Sequence, residues 1–159
     1  MHRSIWLAIA CSVKLAAPAI GQAPPAGPPA AIPIGADGAR IYAATCAACH
    51  LATGLGTEGK IPPLAGSEWV TGNETRLVRI VLHGLIGDVE VQGEVFNGAM
   101  PTWGGAFSDE QIASVLSFVR RSWGNKSAPV TPETVARVRA ATPSRKLPWT
   151  VKELLQRAN

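Results

Sequence analysis

Five consecutive residues, Cys46-Ala47-Ala48-Cys49-His50, carry the most specific chemistry in this sequence. Two thiols three residues apart, followed at once by an imidazole, match the attachment signature for c-type haem. Each thiol can add to one vinyl group of a porphyrin, and a single turn of chain spans the two vinyls. The next residue is then held under the ring, where its imidazole reaches the iron as the proximal axial ligand. A C-x-x-C pair alone would be much less specific, because thioredoxin-like redox pairs and half zinc sites share it. The first requires a βαβ context, and no strand pattern precedes Cys46. The second requires four ligands, and only His83 is left as a fourth candidate, at a spacing that fits no zinc-finger template. With one such motif and no internal repeat, the chain is expected to carry one haem c.

A haem iron has a sixth position, and its occupant sets the chemistry. An open position invites peroxide or small gases, whereas a methionine sulfur raises the potential and closes the iron to substrate. Apart from Met1, the only methionine is Met100, in Asn97-Gly98-Ala99-Met100-Pro101-Thr102-Trp103. The intervening chain is long enough to travel round a porphyrin edge to its other face. Small residues precede Met100, and Pro101 stiffens the backbone after it, so the loop can aim the thioether at a metal. His83 is the rival, and bis-His ligation would lower the potential. It sits at an expected helix end, however, where a cationic ring meets the helix dipole favourably.

The elements that must position these groups read mostly as helices. Asp37 is a fitting N-cap for a short helix over 37–44, with Tyr42 and Cys46 at helical spacing. A glycine-rich loop follows His50 over 52–59; no strand precedes it, so it is no phosphate cradle. Residues 61–67 are stiff and partly apolar. Asn73 caps a helix over 74–83, with Leu77, Ile80 and Val81 on one face and Gly84 ending it. Residues 84–97 alternate Val89, Val91 and Val95 among glycines, which fits a short hairpin or an irregular loop. Ser108 and Gln111 form a capping box that opens a helix to about Trp123, with Ile112, Val115, Leu116 and Val119 as its apolar stripe. Beyond Asn125, Thr131-Pro132 starts a helix through Arg139, and Thr150 with Glu153 forms a second capping box.

Length fits a single domain. The chain opens with a short positive segment and a mostly apolar run over 5–19, with the small residues Ala17, Ala19 and Gly21 at and just past its end. This reads as a signal peptide over 1–21, cleaved near Ala19 or Gly21, with an uncleaved amphipathic anchor as the alternative. Residues 22–34 are Pro/Ala-rich and lack apolar periodicity, which predicts a disordered arm. The organisation is then a haem domain over 35–125 and a C-terminal extension over 126–159. Export removes Cys11 and leaves two thiols that would oxidise to a disulfide unless haem claims them. Losing Arg3 and Lys14 reduces the 15 basic residues to 13 against 11 acidic, a net charge of about +2. That balance makes no case for nucleic acid or anionic lipid.

The sequence resembles the class I cytochrome c family, small exported electron carriers with one haem and His/Met ligation. The resemblance runs over residues 35–125 and rests on Cys46, Cys49 and His50, on Pro62 with Leu64, on Met100-Pro101, and on the helix opened by Ser108. It implies an all-α cytochrome c fold, with the first and last helices crossing at Gly38 and Ala39 against residues 115–119 and Tyr42 alongside. It also implies that the Pro62 carbonyl accepts a hydrogen bond from the proximal histidine and that Leu64 packs on the haem face. The segments 82–85, 97–103 and 118–125 look like a bacterial subgroup whose members serve exported dehydrogenases as a subunit or a fused domain, and the tail resembles extensions in that subgroup.

These readings converge on a periplasmic electron-transfer protein, not itself an enzyme, that cycles between ferrous and ferric iron. An exported dehydrogenase is the expected donor and an oxidase or another cytochrome the acceptor. No nucleic-acid partner is expected, and a membrane only if the N-terminal segment stays uncleaved. The porphyrin edge near Cys46 and Cys49, rimmed by Ala47 and Ala48, would be the docking surface. The alternative is a haem enzyme such as a peroxidase, or a gas-binding haem domain with an open sixth position. The tail has too few apolar residues for its own core, so Leu147, Pro148 and Trp149 either anchor a partner or strap the domain itself.

Overall fold

The computed structural model describes residues 36–157, so the expected signal peptide and proline-rich arm lie outside the described residues. No described helix is long and apolar enough to cross a membrane. The first helical run begins as α1 (Ala36–Ile41), passes through a π-helical turn (Tyr42–Cys46) and continues as α2 (Ala47–His50). It therefore extends beyond the expected 37–44 and delivers the cysteines and His50 on its last turns. Widening occurs where the Thr45 hydroxyl donates to the Ile41 carbonyl (2.6 Å) and the Ala47 N–H reaches back five residues to Tyr42. One extra residue is thereby looped into the helix just ahead of its chemically active end.

Ser67 caps a four-residue helix that the sequence did not announce, α3 (Glu68–Thr71), and Asn73 caps α4 (Glu74–His83) within the expected bounds. Two strands follow, β1 (Leu85–Val91) and β2 (Glu94–Met100), paired antiparallel from Leu85 opposite Met100 to Val91 opposite Glu94. The all-α expectation is corrected by this hairpin, which realises one of the two forms open to residues 84–97. Its cause is local. Gln92 and Gly93 both have positive φ (54° and 82°), the two-residue turn whose twist matches flanking strands, and Val89, Val91 and Phe96 bury one face.

The helix α5 (Asp109–Val119) has the expected capping box, with Ser108 and Gln111 satisfying each other's backbone. It stops earlier than expected because its last carbonyls find partners elsewhere. The Asn125 side-chain amide donates to the Val119 carbonyl (2.9 Å), and the Ser127 N–H donates to Arg120 (3.1 Å). The crossing of α1 and α5 is as close as the resemblance implied, with Gly38 against Phe118, within the expected 115–119, and against Ser114, one residue before it. Tyr42 packs there between Phe118 and Trp123, with ring centroids 5.5 and 5.0 Å away.

The tail forms α6 (Pro132–Ala140) and α7 (Val151–Gln156), capped by Thr131 and Thr150 as read. It does not stand apart. Val130, Val135 and Val138 join the main core with Tyr42, Val78, Ile112 and Leu116. Trp149 and Leu154 enter a second core with Ile80, Leu85, Val89, Val91 and Phe96. Trp149 is 1% exposed while Leu147 is 73% exposed, so the tryptophan straps the domain's own surface and cannot serve as a free docking anchor.

Candidate haem site

The end of α2, the loop after it, α4 and the hairpin enclose one apolar cleft. Cys46, Cys49, His50, Pro62, Leu64 and Met100 all line it, so the structure brings these ligand and support candidates together. The cleft opens to solvent at its mouth, and apolar side chains make up most of its lining.

The His50 ring is buried, and its Nδ1 lies 3.1 Å from the Pro62 carbonyl oxygen, which can only accept. Nδ1 is therefore the protonated nitrogen, and Nε2 is left as a bare donor pair for a metal. Burial pushes the imidazole below its ordinary pKa while the Pro62 hydrogen bond opposes this, so at neutral pH the ring is the neutral form a metal requires. The loop that carries Pro62 is itself held from below. Leu64 and Ala65 donate their N–H groups to the Gly54 carbonyl (2.7 and 3.1 Å). Asn125, nearly buried, donates to the Leu64 carbonyl (3.0 Å) and accepts from the Gly66 N–H (2.9 Å). Gly54 has φ +67° and lies beneath the Trp123 ring, where a Cβ would come within 2.5 Å of the indole.

Cys46 is half-buried and Cys49 exposed, both as unpaired thiols. Burial raises the Cys46 pKa, the Thr45 hydroxyl lowers it, and Cys49 raises it again, which keeps the group a neutral thiol.

Met100 ends β2 opposite Leu85, and the residues after it cap α4. The Thr102 hydroxyl donates to the Leu82 carbonyl (2.6 Å), and the Trp103 N–H donates to Val81 (2.9 Å). A helix end has orphan carbonyls, and this loop satisfies them. Gly84 allows the approach, since a Cβ there would lie 2.6 Å from the Met100 carbonyl oxygen.

His83 lies elsewhere. It does not line the cleft, and its Nε2 is 2.7 Å from the Thr142 hydroxyl, which itself donates to Val138. Burial, then Arg145 and Arg139, push its pKa down, so the ring is neutral and not the dipole-facing cation expected from its place at the end of α4. Among cleft residues that sequence reasoning missed, Trp69 is the largest; its indole N–H donates to the Glu90 carbonyl (2.8 Å) and ties α3 to the hairpin. Ser67, a capping residue just before Glu68-Trp69-Val70, was the available signal.

A donor set of two thiols, one neutral imidazole and one thioether in an apolar cleft fits a covalently bound haem and suits no hydrolytic chemistry. Comparison with known proteins agrees. The family described as cytochrome C oxidase, cbb3-type, subunit III matches residues 34–119, and the chain belongs to this family of c-type cytochromes. It is 40% identical over 114 residues to cytochrome c-552 of Thermus thermophilus, an alignment covering 66% of this chain and 86% of that one. It is also 40% identical over 105 residues to the alcohol dehydrogenase (quinone), cytochrome c subunit, of Komagataeibacter europaeus. A further match, 39% over 110 residues, is to the gluconate 2-dehydrogenase cytochrome c subunit of Pantoea cypripedii. Those two alignments cover 64% of this chain but only 22% and 24% of the relatives. The protein is a haem c electron carrier, not an enzyme.

Proposed function

We propose that Cys46 and Cys49 anchor the haem, that His50 is its proximal ligand and that Met100 fills the sixth position. One observation carries this reading: the one unpaired ring nitrogen of His50 and the Met100 side chain belong to residues lining the same apolar cleft. Bound there, the haem supplies one-electron exchange between ferric and ferrous iron. The chain's own residues do the rest. Pro62 fixes the imidazole tautomer and orientation, Leu64 and Trp69 exclude water, and the residues after Met100 lock its position onto the end of α4.

In the cell, this reading places the carrier in the periplasm after removal of residues 1–21, with residues 22–34 as a Pro/Ala-rich spacer arm, 35–125 as the haem domain and 126–159 as its extension. An exported dehydrogenase is the donor, as the names of the dehydrogenase cytochrome subunits among its relatives suggest, and an oxidase or another cytochrome is the acceptor. The exposed Cys49 and Ala48, beside Leu51 and Leu55, provide an apolar rim for brief redox docking.

The test is Met100→Ala in the mature holoprotein. Covalent haem should remain, the potential should fall, and carbon monoxide should bind the ferrous form readily. His83→Ala should change neither. A low-spin spectrum kept by Met100→Ala and lost by His83→Ala would overturn the assignment.

A further inference from the structure

Trp149, far from the cleft in sequence, is tied to the strand beside Met100. Its N–H donates to the Gly84 carbonyl (3.0 Å), and its carbonyl accepts from the Ile86 N–H (2.9 Å). Leu85 thus bridges in parallel to Trp149 on one side and pairs with Met100 on the other. The three residues stand in a row across the base of the hairpin. The indole fills the second core, and Met100 packs against both cores. Arg145, itself paired with Glu153 at 2.9 Å, stacks 3.4 Å over the indole ring. The indole N–H has no partner, so ring bulk and not a hydrogen bond is what the site uses.

An isolated two-stranded hairpin is marginal in water, and its placement depends on what packs against it. Besides the bonds of Thr102 and Trp103 to the end of α4, this one is held at two points. Near the tip, Trp69 bonds Glu90, and the Gln92 amide reaches the Ala65 carbonyl (2.6 Å). At the base, where Met100 sits, the support from the tail is Trp149.

We propose that Trp149 is a positioning residue for Met100: by fixing the base of the hairpin it holds the thioether in the cleft and sets how often the sulfur leaves the iron. This rests on the reading of Met100 as sixth ligand. An added ligand such as imidazole reaches ferric iron only while the sulfur is away, so its apparent affinity scales with that open fraction.

The experiment uses the mature holoprotein with Trp149→Ala, Trp149→Leu, Met100→Ala and a control, Val135→Ala, which weakens the other core from the same tail. Trp149→Ala should keep covalent haem, bind imidazole at least about tenfold more tightly than the parent, and show a lower midpoint potential. Val135→Ala should lower the melting temperature yet leave imidazole affinity within about twofold. Should Trp149→Ala fail to accumulate, Trp149→Leu retains apolar volume and carries the same comparison with a smaller shift. Unchanged imidazole affinity and potential in the Trp149 variants overturn the proposal, as does an equal shift in Val135→Ala. If Met100→Ala leaves the ferric spectrum and imidazole affinity unchanged, the ligand reading fails first and takes this proposal with it.

Discussion

Gly38 of α1 lies directly against the backbone of Ser114 in α5, and a Cβ at Gly38 would also come within 2.9 Å of the Phe118 Cβ. The neighbours on that side are helix backbone, which cannot swing aside as a long side chain can. Because α1 leads without interruption into the turns that carry Cys46, Cys49 and His50, this crossing sets where the ligands arrive. Gly38→Ala should therefore cost about 2–3 kcal/mol, the upper part of the overpacking range. At this chain length that is a fall of roughly 4–12 °C in melting temperature, measurable by the loss of helical circular dichroism. Ala39→Gly should cost only about 1 kcal/mol, as a helix-propensity effect.

Attachment is tested by the thiols. Cys46→Ala and Cys49→Ala should each leave one thioether, so denatured protein retains haem less completely, while the double variant should release it into acidified organic solvent. His50→Ala should keep both attachments and lose the low-spin spectrum. Thiol labelling of the mature parent should find no free cysteine, against two in the haem-free chain. Haem that extracts from the parent itself would end the reading.

What the sequence revealed and what it hid follow from how local each determinant is. The haem motif, the capping boxes at Ser108 and Thr150 and the bounds of α4 are each written within a few residues, and each was legible. The ligating candidates were legible too, because Cys46, Cys49, His50 and Met100 are chemically unlike their neighbours. The hairpin was only half legible: its valine alternation was present, but glycines at 87, 93 and 98 dilute a strand pattern. Two features could not be read at all. The placement of Trp149 depends on a parallel bridge to Leu85, sixty-four residues earlier, and long-range pairing leaves no local pattern. Nor could the neutrality of His83 be seen, since Arg139, Arg145 and Thr142 reach it only through the fold of the tail.

That His83 environment has a consequence for acid stability. Its folded pKa is depressed below the ordinary value of 6.5, so the unfolded chain takes up a proton first as pH falls. Stability from the neutral ring is fully present above about 6.5 and declines as pH drops toward the folded value. The groups facing the ring are the cations Arg139 and Arg145, and no carboxylate offsets them among the causes of the shift. His83→Gln preserves a donor toward Thr142 but removes the titration. Melting temperatures measured between pH 7.5 and about 5 should therefore fall more steeply for the parent than for the variant. Parallel curves would assign the acid sensitivity to another group.

The tail gives the sharpest test of whether 126–159 is an appendage or part of the body. Stopping the chain after Asn125 would remove Val130, Val135 and Val138 from the main core and Trp149 and Leu154 from the second. Losing the Trp149 ring alone is comparable to a buried Trp→Ala change, about 3–5 kcal/mol. A large part of a typical domain's total stability would go with it. The melting temperature should fall by more than about 10 °C, and the freshly exposed Leu85, Val89 and Phe96 should make the truncated form bind a hydrophobic dye. Stopping after Ala141 instead keeps α6 and its three valines while still removing Trp149 and Leu154. This longer form should recover much of the melting temperature yet retain the dye binding, because the hairpin face stays uncovered. Haem attachment should survive in both, since Cys46 and Cys49 and the helix that carries them all precede Asn125. If either truncated form melted like the parent, the buried Trp149 would not be holding the hairpin, and the tail would have to be explained by a partner instead.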